Sequence, residues 1–285
     1  MIAEFNRIAV IGSGTMGSGI ALVFAISGID VALVDIDQRF LDNGIKRIKK
    51  SLNRSIEKGK IPKEEASKIL DRITLTTELE NATKDVQLVI EAIIENEGAK
   101  KGLFKKLDSI CSNDTIFASN TSAISISTLA DVTKRPSRFL GMHFFNPPQL
   151  MKLIEIVKGK KTSEHVLNSV MALCKRLGKV PVPSNEAPGF IVNRVLWPFL
   201  NESYKLLETN VAKKVAIDTA IKLGLNHPMG PLELSDYIGL DVMLDIGQYM
   251  EEQLGEEYRP AEILVKLVEE GKLGKKTKEG FYVYD

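Results

Sequence analysis

His143 closes an apolar strand-like run, Arg138 to Met142, just before Phe144-Phe145-Asn146-Pro147-Pro148. The turn that follows a strand is where reactive side chains gather in open α/β sheets. Twelve residues on, Glu155 interrupts the apolar run Leu153-Ile154-Glu155-Ile156-Val157, and a carboxylate among such neighbours needs a partner to offset its desolvation. An imidazole is such a partner. A carboxylate on one ring nitrogen fixes the tautomer and supports a positive ring, leaving the other nitrogen to take a hydroxyl proton as a hydride departs, which is dehydrogenase chemistry. On residue type alone, His143 reads equally as a hydrogen-bonded structural histidine and Glu155 as an outward-facing residue of an edge strand.

A hydride needs an acceptor, and Gly12-Ser13-Gly14-Thr15-Met16-Gly17 supplies a place for one. This G-x-G-x-x-G follows the apolar strand Ile8–Ile11 and opens a helical stretch through Ser27. Only glycines at Gly12, Gly14 and Gly17 let the amides around Thr15 and Met16 and the helix N-terminus approach a pyrophosphate so closely. Asp35, the eighteenth residue after Gly17, ends the next apolar strand, Val31–Val34. There a carboxylate accepts hydrogen bonds from ribose hydroxyls and repels a 2′-phosphate, favouring NAD over NADP, although the neighbouring Arg39 softens that exclusion. Ser119-Asn120-Thr121-Ser122 also follows an apolar strand and reads either as site hydroxyls or as a helix cap or turn. Asn193, polar within an apolar helix start, reads either as a site residue or as an interhelical hydrogen bonder.

The elements that must position these residues follow from hydrophobic pattern. Further apolar runs without alternation at Leu88–Ile90 and Thr115–Ala118, with a helical stretch Ala99–Ile110 between them, predict a parallel sheet covered on both faces. Met151–Val157 and Val180–Pro183 read as later strands. Right-handed crossovers then give a Rossmann-like, doubly wound α/β domain at residues 1–184. Between Gln38 and Leu70 a charged helical stretch containing Lys46, Arg47, Lys49, Lys50, Arg54, Lys58 and Lys60 before Ile61-Pro62 reads as an inserted arm. From Pro188 to Glu270 successive helices, broken near Asn210, Gly224–Pro231 and Gly255–Pro260, predict an all-helical domain at residues 185–285.

Composition narrows the function classes. The chain has 285 residues and a formal net charge of +1, which gives no electrostatic footprint for nucleic acid or a membrane surface. Cys111 and Cys174 stand apart and the three histidines are dispersed, so neither a disulfide framework nor a metal site is expected, and both thiols read as reduced core residues. No run approaches the ~18 apolar residues of a membrane span, and the N-terminus carries no signal-peptide pattern, so a cytoplasmic protein is expected.

Taken together, Gly12–Ile20, Ala118-Ser119-Asn120-Thr121-Ser122, Gly141-Met142-His143-Phe144-Phe145-Asn146-Pro147, Glu186–Arg194 and Asn226-His227-Pro228-Met229-Gly230-Pro231 resemble the 3-hydroxyacyl-CoA dehydrogenase family over nearly the whole chain. The resemblance implies reversible, NAD-dependent oxidation of a (3S)-3-hydroxyacyl-CoA, with 3-hydroxybutyryl-CoA and acetoacetyl-CoA as the favoured pair. It implies that His143 is the general base and acid, oriented by Glu155, and that Ser122 and Asn193 hold the substrate oxygen. It further implies that Glu95, Lys100, Asn146 and Lys276 contact the nicotinamide half, that Arg54 and Lys58 of the arm meet coenzyme A phosphates, and that the helical domain forms a homodimer. Without the resemblance, the arm reads as a solvated charged face. Two other readings stand beside this one: a β-hydroxyacid dehydrogenase, which would need a catalytic lysine, and a non-catalytic NAD-binding protein.

Overall fold

Strands that are apolar throughout need cover on both faces, and the computed structural model, which describes residues 5–285, supplies it. Strands β1 (Arg7–Ile11), β2 (Asp30–Val34), β3 (Ile73–Thr76), β4 (Leu88–Glu91), β5 (Ile116–Ser119), β6 (Phe139–Phe144), β7 (Leu153–Lys158) and β8 (Val180–Asn185) form one sheet. Its order is β3-β2-β1-β4-β5-β6-β7-β8. Strands β1 to β6 are parallel, β7 runs antiparallel to β6, and β8 pairs parallel with β7. Helices α1 (Thr15–Ile26), α2 (Gln38–Glu57), α3 (Lys63–Asp71), α4 (Leu79–Thr83), α5 (Glu97–Ile110), α6 (Ile126–Ala130) and α7 (Glu164–Arg176) fill the connections. This is the doubly wound architecture expected from the strand pattern, and the order reverses between β1 and β4, where such sheets bind ligands.

Two short elements differ from the expected pattern. Strand β3 has four residues at the sheet edge, mostly part-exposed, and α4 has five. Neither is long enough to display a period. With β3 in place, the charged stretch resolves into α2 and α3, which together form the β2-to-β3 crossover. Helix α2 buries Leu41, Ile48 and Leu52. At Gly44 a Cβ would stand 2.9 Å from the Ser13 carbonyl oxygen, so the arm lies directly against the glycine turn. Strand β8 carries Pro181 and Pro183, tolerable because an edge strand leaves alternate amides unpaired.

One compact unit ends at Ala187 and a second spans Pro188–Asp285. The second is helical: α8 (Val192–Glu208), α9 (Lys214–Gly224), α10 (Pro231–Ile238), α11 (Leu240–Leu254) and α12 (Glu262–Glu269). Its core is built on Trp197, Tyr204, Leu232, Met243, Met250 and Leu264. Two buried carboxylates organise it: Asp218 accepts the first amides of α10, from Leu232 and Glu233, and Asp236 accepts those of Phe281 and Tyr282 in the C-terminal tail. Such bonds offset the desolvation of buried charge. Cys111 and Cys174 are buried free thiols, and burial pushes the Cys174 thiol up to about 12. Among the described residues, no helix is long and apolar enough to cross a membrane.

Candidate active site

The reversal of direction between β6 and β7 sets the central pair. In that antiparallel register His143 lies directly opposite Glu155, and opposed residues share one face of a sheet. His143 Nδ1 and Glu155 Oε2 are 2.7 Å apart, with the carboxylate fully buried and the ring 5% exposed. The carboxylate accepts the Nδ1 proton, so a neutral ring turns the Nε2 lone pair outward. Ser122 Oγ stands 3.1 Å from that Nε2, completing a Ser122–His143–Glu155 relay across the ends of β5, β6 and β7. The Phe145 ring packs 4.6 Å from the imidazole and limits its rotation. The outward nitrogen of such a relay is placed to exchange a proton with a substrate oxygen.

At the switch point the glycine turn makes a cradle. Gly12 has φ +101°, and a Cβ there would meet the Ala92 carbonyl oxygen at 2.4 Å. At Gly17 a Cβ would fall 1.8 Å from the Gly12 oxygen. At Gly14 no atom beyond its immediate chain neighbours lies within 4 Å of where a Cβ would be, so the space it leaves is open to a ligand. No side chain caps α1, and its first turn holds no acidic residue. An anion is therefore the natural complement to these amides and the helix dipole.

Asp35 is held ready beside the turn: Ser13 N and Oγ each donate to its Oδ2 at 2.7 Å, and Ile36 N donates to Oδ1. Arg39 is engaged elsewhere. Its guanidinium forks onto Asp37, the cap of α2, and that contact holds the Asp37 carboxyl down at about 2. The one cation that weakened the case against a 2′-phosphate is thus already paired. Ile36, just after Asp35, and Ile94, just beyond β4, are 89% and 73% exposed, apolar surface near the strand ends that the motif reading passed over.

Beyond β4, Glu95 Oε1 accepts from Thr121 Oγ1 and, at 3.0 Å, from Ser122 N, while its Oε2 pairs with Lys100 Nζ at 3.1 Å. Lys100 is 1% exposed, and its ammonium also meets Glu91 Oε1 at 2.5 Å. Glu95 is therefore the member of this pair that faces outward. Burial pushes the Glu91 carboxyl up, opposed by Lys100 and by hydrogen bonds from Ser119 and Ile93 N. Asn146 lines a small cavity with Thr15, Ser18, Arg47, Ser51 and Gln149. Arg54 lines a surface groove on α2 with Lys46, Lys49, Lys50, Asn53 and Glu57, and Lys58 stands at the α2 C-cap. In the second unit, Asn193 lies in the first turn of α8, and Lys276 is ion-paired with Asp241. The first unit thus brings Ser122, His143, Glu155, Glu95 and Lys100 into one connected set.

Residues 7–187 match the NAD-binding domain model of 3-hydroxyacyl-CoA dehydrogenase and residues 189–284 match its C-terminal domain model. The chain is 46% identical to 3-hydroxybutyryl-CoA dehydrogenase of Clostridioides difficile, over 98% of this chain and 99% of that protein. It is 46% identical to the mitochondrial hydroxyacyl-coenzyme A dehydrogenase of Sus scrofa, over 98% and 91%. The crystal structure of (S)-3-hydroxybutyryl-CoA dehydrogenase from Ralstonia eutropha superposes with a TM-score of 0.95 at 42% identity, covering 99% of this chain and all of that one.

Proposed function

The chain belongs to the 3-hydroxyacyl-CoA dehydrogenase family, and we propose that it oxidises (3S)-3-hydroxybutyryl-CoA reversibly to acetoacetyl-CoA with NAD through the Ser122–His143–Glu155 relay. The observation that carries this reading is the buried 2.7 Å contact between His143 Nδ1 and Glu155, with Nε2 turned outward to Ser122. In the oxidative direction the 3-hydroxyl gives its proton to Nε2, and the positive ring that results is stabilised by the carboxylate behind it. Ser122 holds the substrate oxygen. When bound, a nicotinamide would supply the acceptor for the hydride that leaves carbon 3. In the reductive direction the ring returns the proton.

The residues present fit that cofactor. Gly14 leaves space for the pyrophosphate, Asp35 takes ribose hydroxyls, and the exposed Ile36 and Ile94 offer apolar surface to the adenine. Glu95, with Lys100 behind it, and Asn146 serve the nicotinamide half. Arg54 and Lys58 pair with phosphates of coenzyme A, for which guanidinium and ammonium groups are suited.

The test is loss of NADH absorbance with acetoacetyl-CoA, beside free acetoacetate and beside NADPH. Turnover is expected with the thioester alone, and NADH is expected to exceed NADPH by on the order of a hundredfold in kcat/KM, as befits a 2′-phosphate set against a carboxylate. Turnover of the free acid would transfer the chain to the β-hydroxyacid class. NADH binding without any turnover would leave a non-catalytic binder.

We further propose that the helical unit carries a homodimer. Val195, Val215, Leu223, Leu225 and Tyr237 are each more than half exposed on it, an apolar presentation that self-association relieves. Light scattering is expected to give twice the chain mass, and a monomer at micromolar concentration contradicts the proposal.

A further inference from the structure

Glu91 has no role of its own toward substrate or cofactor in the reading above, yet it is the origin of a closed ring of hydrogen bonds that runs through Lys100 and Glu95 around the turn that presents Ser122. It is fully buried at the end of β4, in register with Ile11 on one side and Ser119 on the other. Two arms leave its carboxylate. From Oε2 the first arm runs to Ser119 Oγ at 2.6 Å, and Ser119 Oγ in turn accepts Thr121 N at 3.2 Å. From Oε1 the second arm runs to Lys100 Nζ at 2.5 Å, then to Glu95 Oε2 at 3.1 Å. Glu95 Oε1 then accepts both Thr121 Oγ1 and Ser122 N. The arms converge on Thr121, the second also holding Ser122 N, and Ile93 N, donating to Oε1 at 2.8 Å, fixes the carboxylate itself.

We infer that Glu91 is a positioning residue for the reaction, bracing the Thr121–Ser122 turn so that Ser122 Oγ stays on His143 Nε2. This rests on the relay proposed above. A buried ammonium and a buried carboxylate are each tolerable only when paired. Removing the charge of Glu91 therefore leaves Lys100 with the part-exposed Glu95 alone, while the carboxamide substitutes donors for one of the two acceptor oxygens. Both arms slacken together. A catalytic hydrogen bond displaced by a fraction of an ångström loses much of its value, whereas the glycine cradle and α2 lie outside the ring.

The experiment is a double-mutant cycle of Glu91→Gln with Ser122→Ala, read by kcat and KM for acetoacetyl-CoA and by ¹⁵N chemical shifts of the His143 ring. Glu91→Gln is expected to lower kcat by about tenfold to a hundredfold with KM changed by less than about threefold. In the Ser122→Ala background the same change is expected to cost less than about twofold, because the group it positions is gone. The ring nitrogens of Glu91→Gln are expected to move toward the Ser122→Ala values. An equal loss in both backgrounds, or unmoved ring nitrogens, overturns the inference. If Glu91→Gln fails to fold, Ser119→Ala severs one arm and runs the same cycle with a smaller loss. A wild-type chain that does not turn over defeats the dehydrogenase reading, and the ring spectra still decide whether Glu91 governs the Ser122–His143 bond.

Discussion

His143→Ala is expected to lower kcat for acetoacetyl-CoA by about 10²–10⁴, the usual contribution of a positioned acid–base group. NADH affinity is expected to change by less than about threefold, since the ring serves the proton and not the dinucleotide turn. The size follows from burial. Glu155 is fully enclosed, so its negative charge acts on the imidazolium through little water, and no solvent group can take over the role from the same place. Stopped-flow turnover beside fluorescence titration with NADH measures both quantities. Equal losses in turnover and cofactor binding would show that the histidine is structural. Retained turnover would remove it from the reaction altogether.

Gly17→Ala and Gly14→Ala are expected to part company. A methyl at Gly17 would lie 1.8 Å from the Gly12 carbonyl oxygen, so the first turn of α1 must move off the end of β1. Overpacking against backbone costs about 1–3 kcal/mol or more in stability. The displaced amides lose hydrogen bonds to a charged group at about 1.5–3 kcal/mol each. Two such bonds amount to roughly 10²–10⁴ in NADH affinity. At Gly14 a methyl meets no atom within 4 Å beyond its immediate chain neighbours, so the melting temperature is expected to hold while NADH affinity falls. Thermal unfolding and NADH titration of the two variants check this. Undiminished NADH binding by Gly14→Ala would mean that the open space beside it is not the pyrophosphate site.

The glycine turn was legible in the sequence because a pyrophosphate is bound by backbone, and backbone approach demands glycine wherever it occurs. The parallel strands were legible because burial on both faces leaves no alternation to misread, as in β4, β5 and β6. By contrast β3, at the edge and four residues long, has nothing periodic to display. The dyad was half legible. Glu155 announced itself as a charge inside an apolar strand, but its contact with His143 depends on strand pairing, which no spacing contains. Glu91 gives the same signal at the end of Leu88-Val89-Ile90 and escaped notice, because its partner Lys100 sits in a helix whose pattern treats lysine as solvent-facing. Asn193 stood out only as a polar residue in an apolar helix start, which does not say what it touches, and the roles of Lys276, Arg54 and Lys58 entered only through family resemblance.

The antiparallel pairing of β7 with β6 also determines where the molecule tolerates editing. His143 and Glu155 meet because Phe144 pairs with Ile154 and the ladder continues from there, not because twelve positions separate them. Extra residues placed in the loop between Gln149 and Lys152 lengthen the excursion and return to the same ladder. A single residue gained or lost within β7 is different in kind: it turns Glu155 to the opposite face and leaves the imidazole against an isoleucine. Parity along the strand, rather than distance along the chain, is the quantity that a graft at this site must preserve.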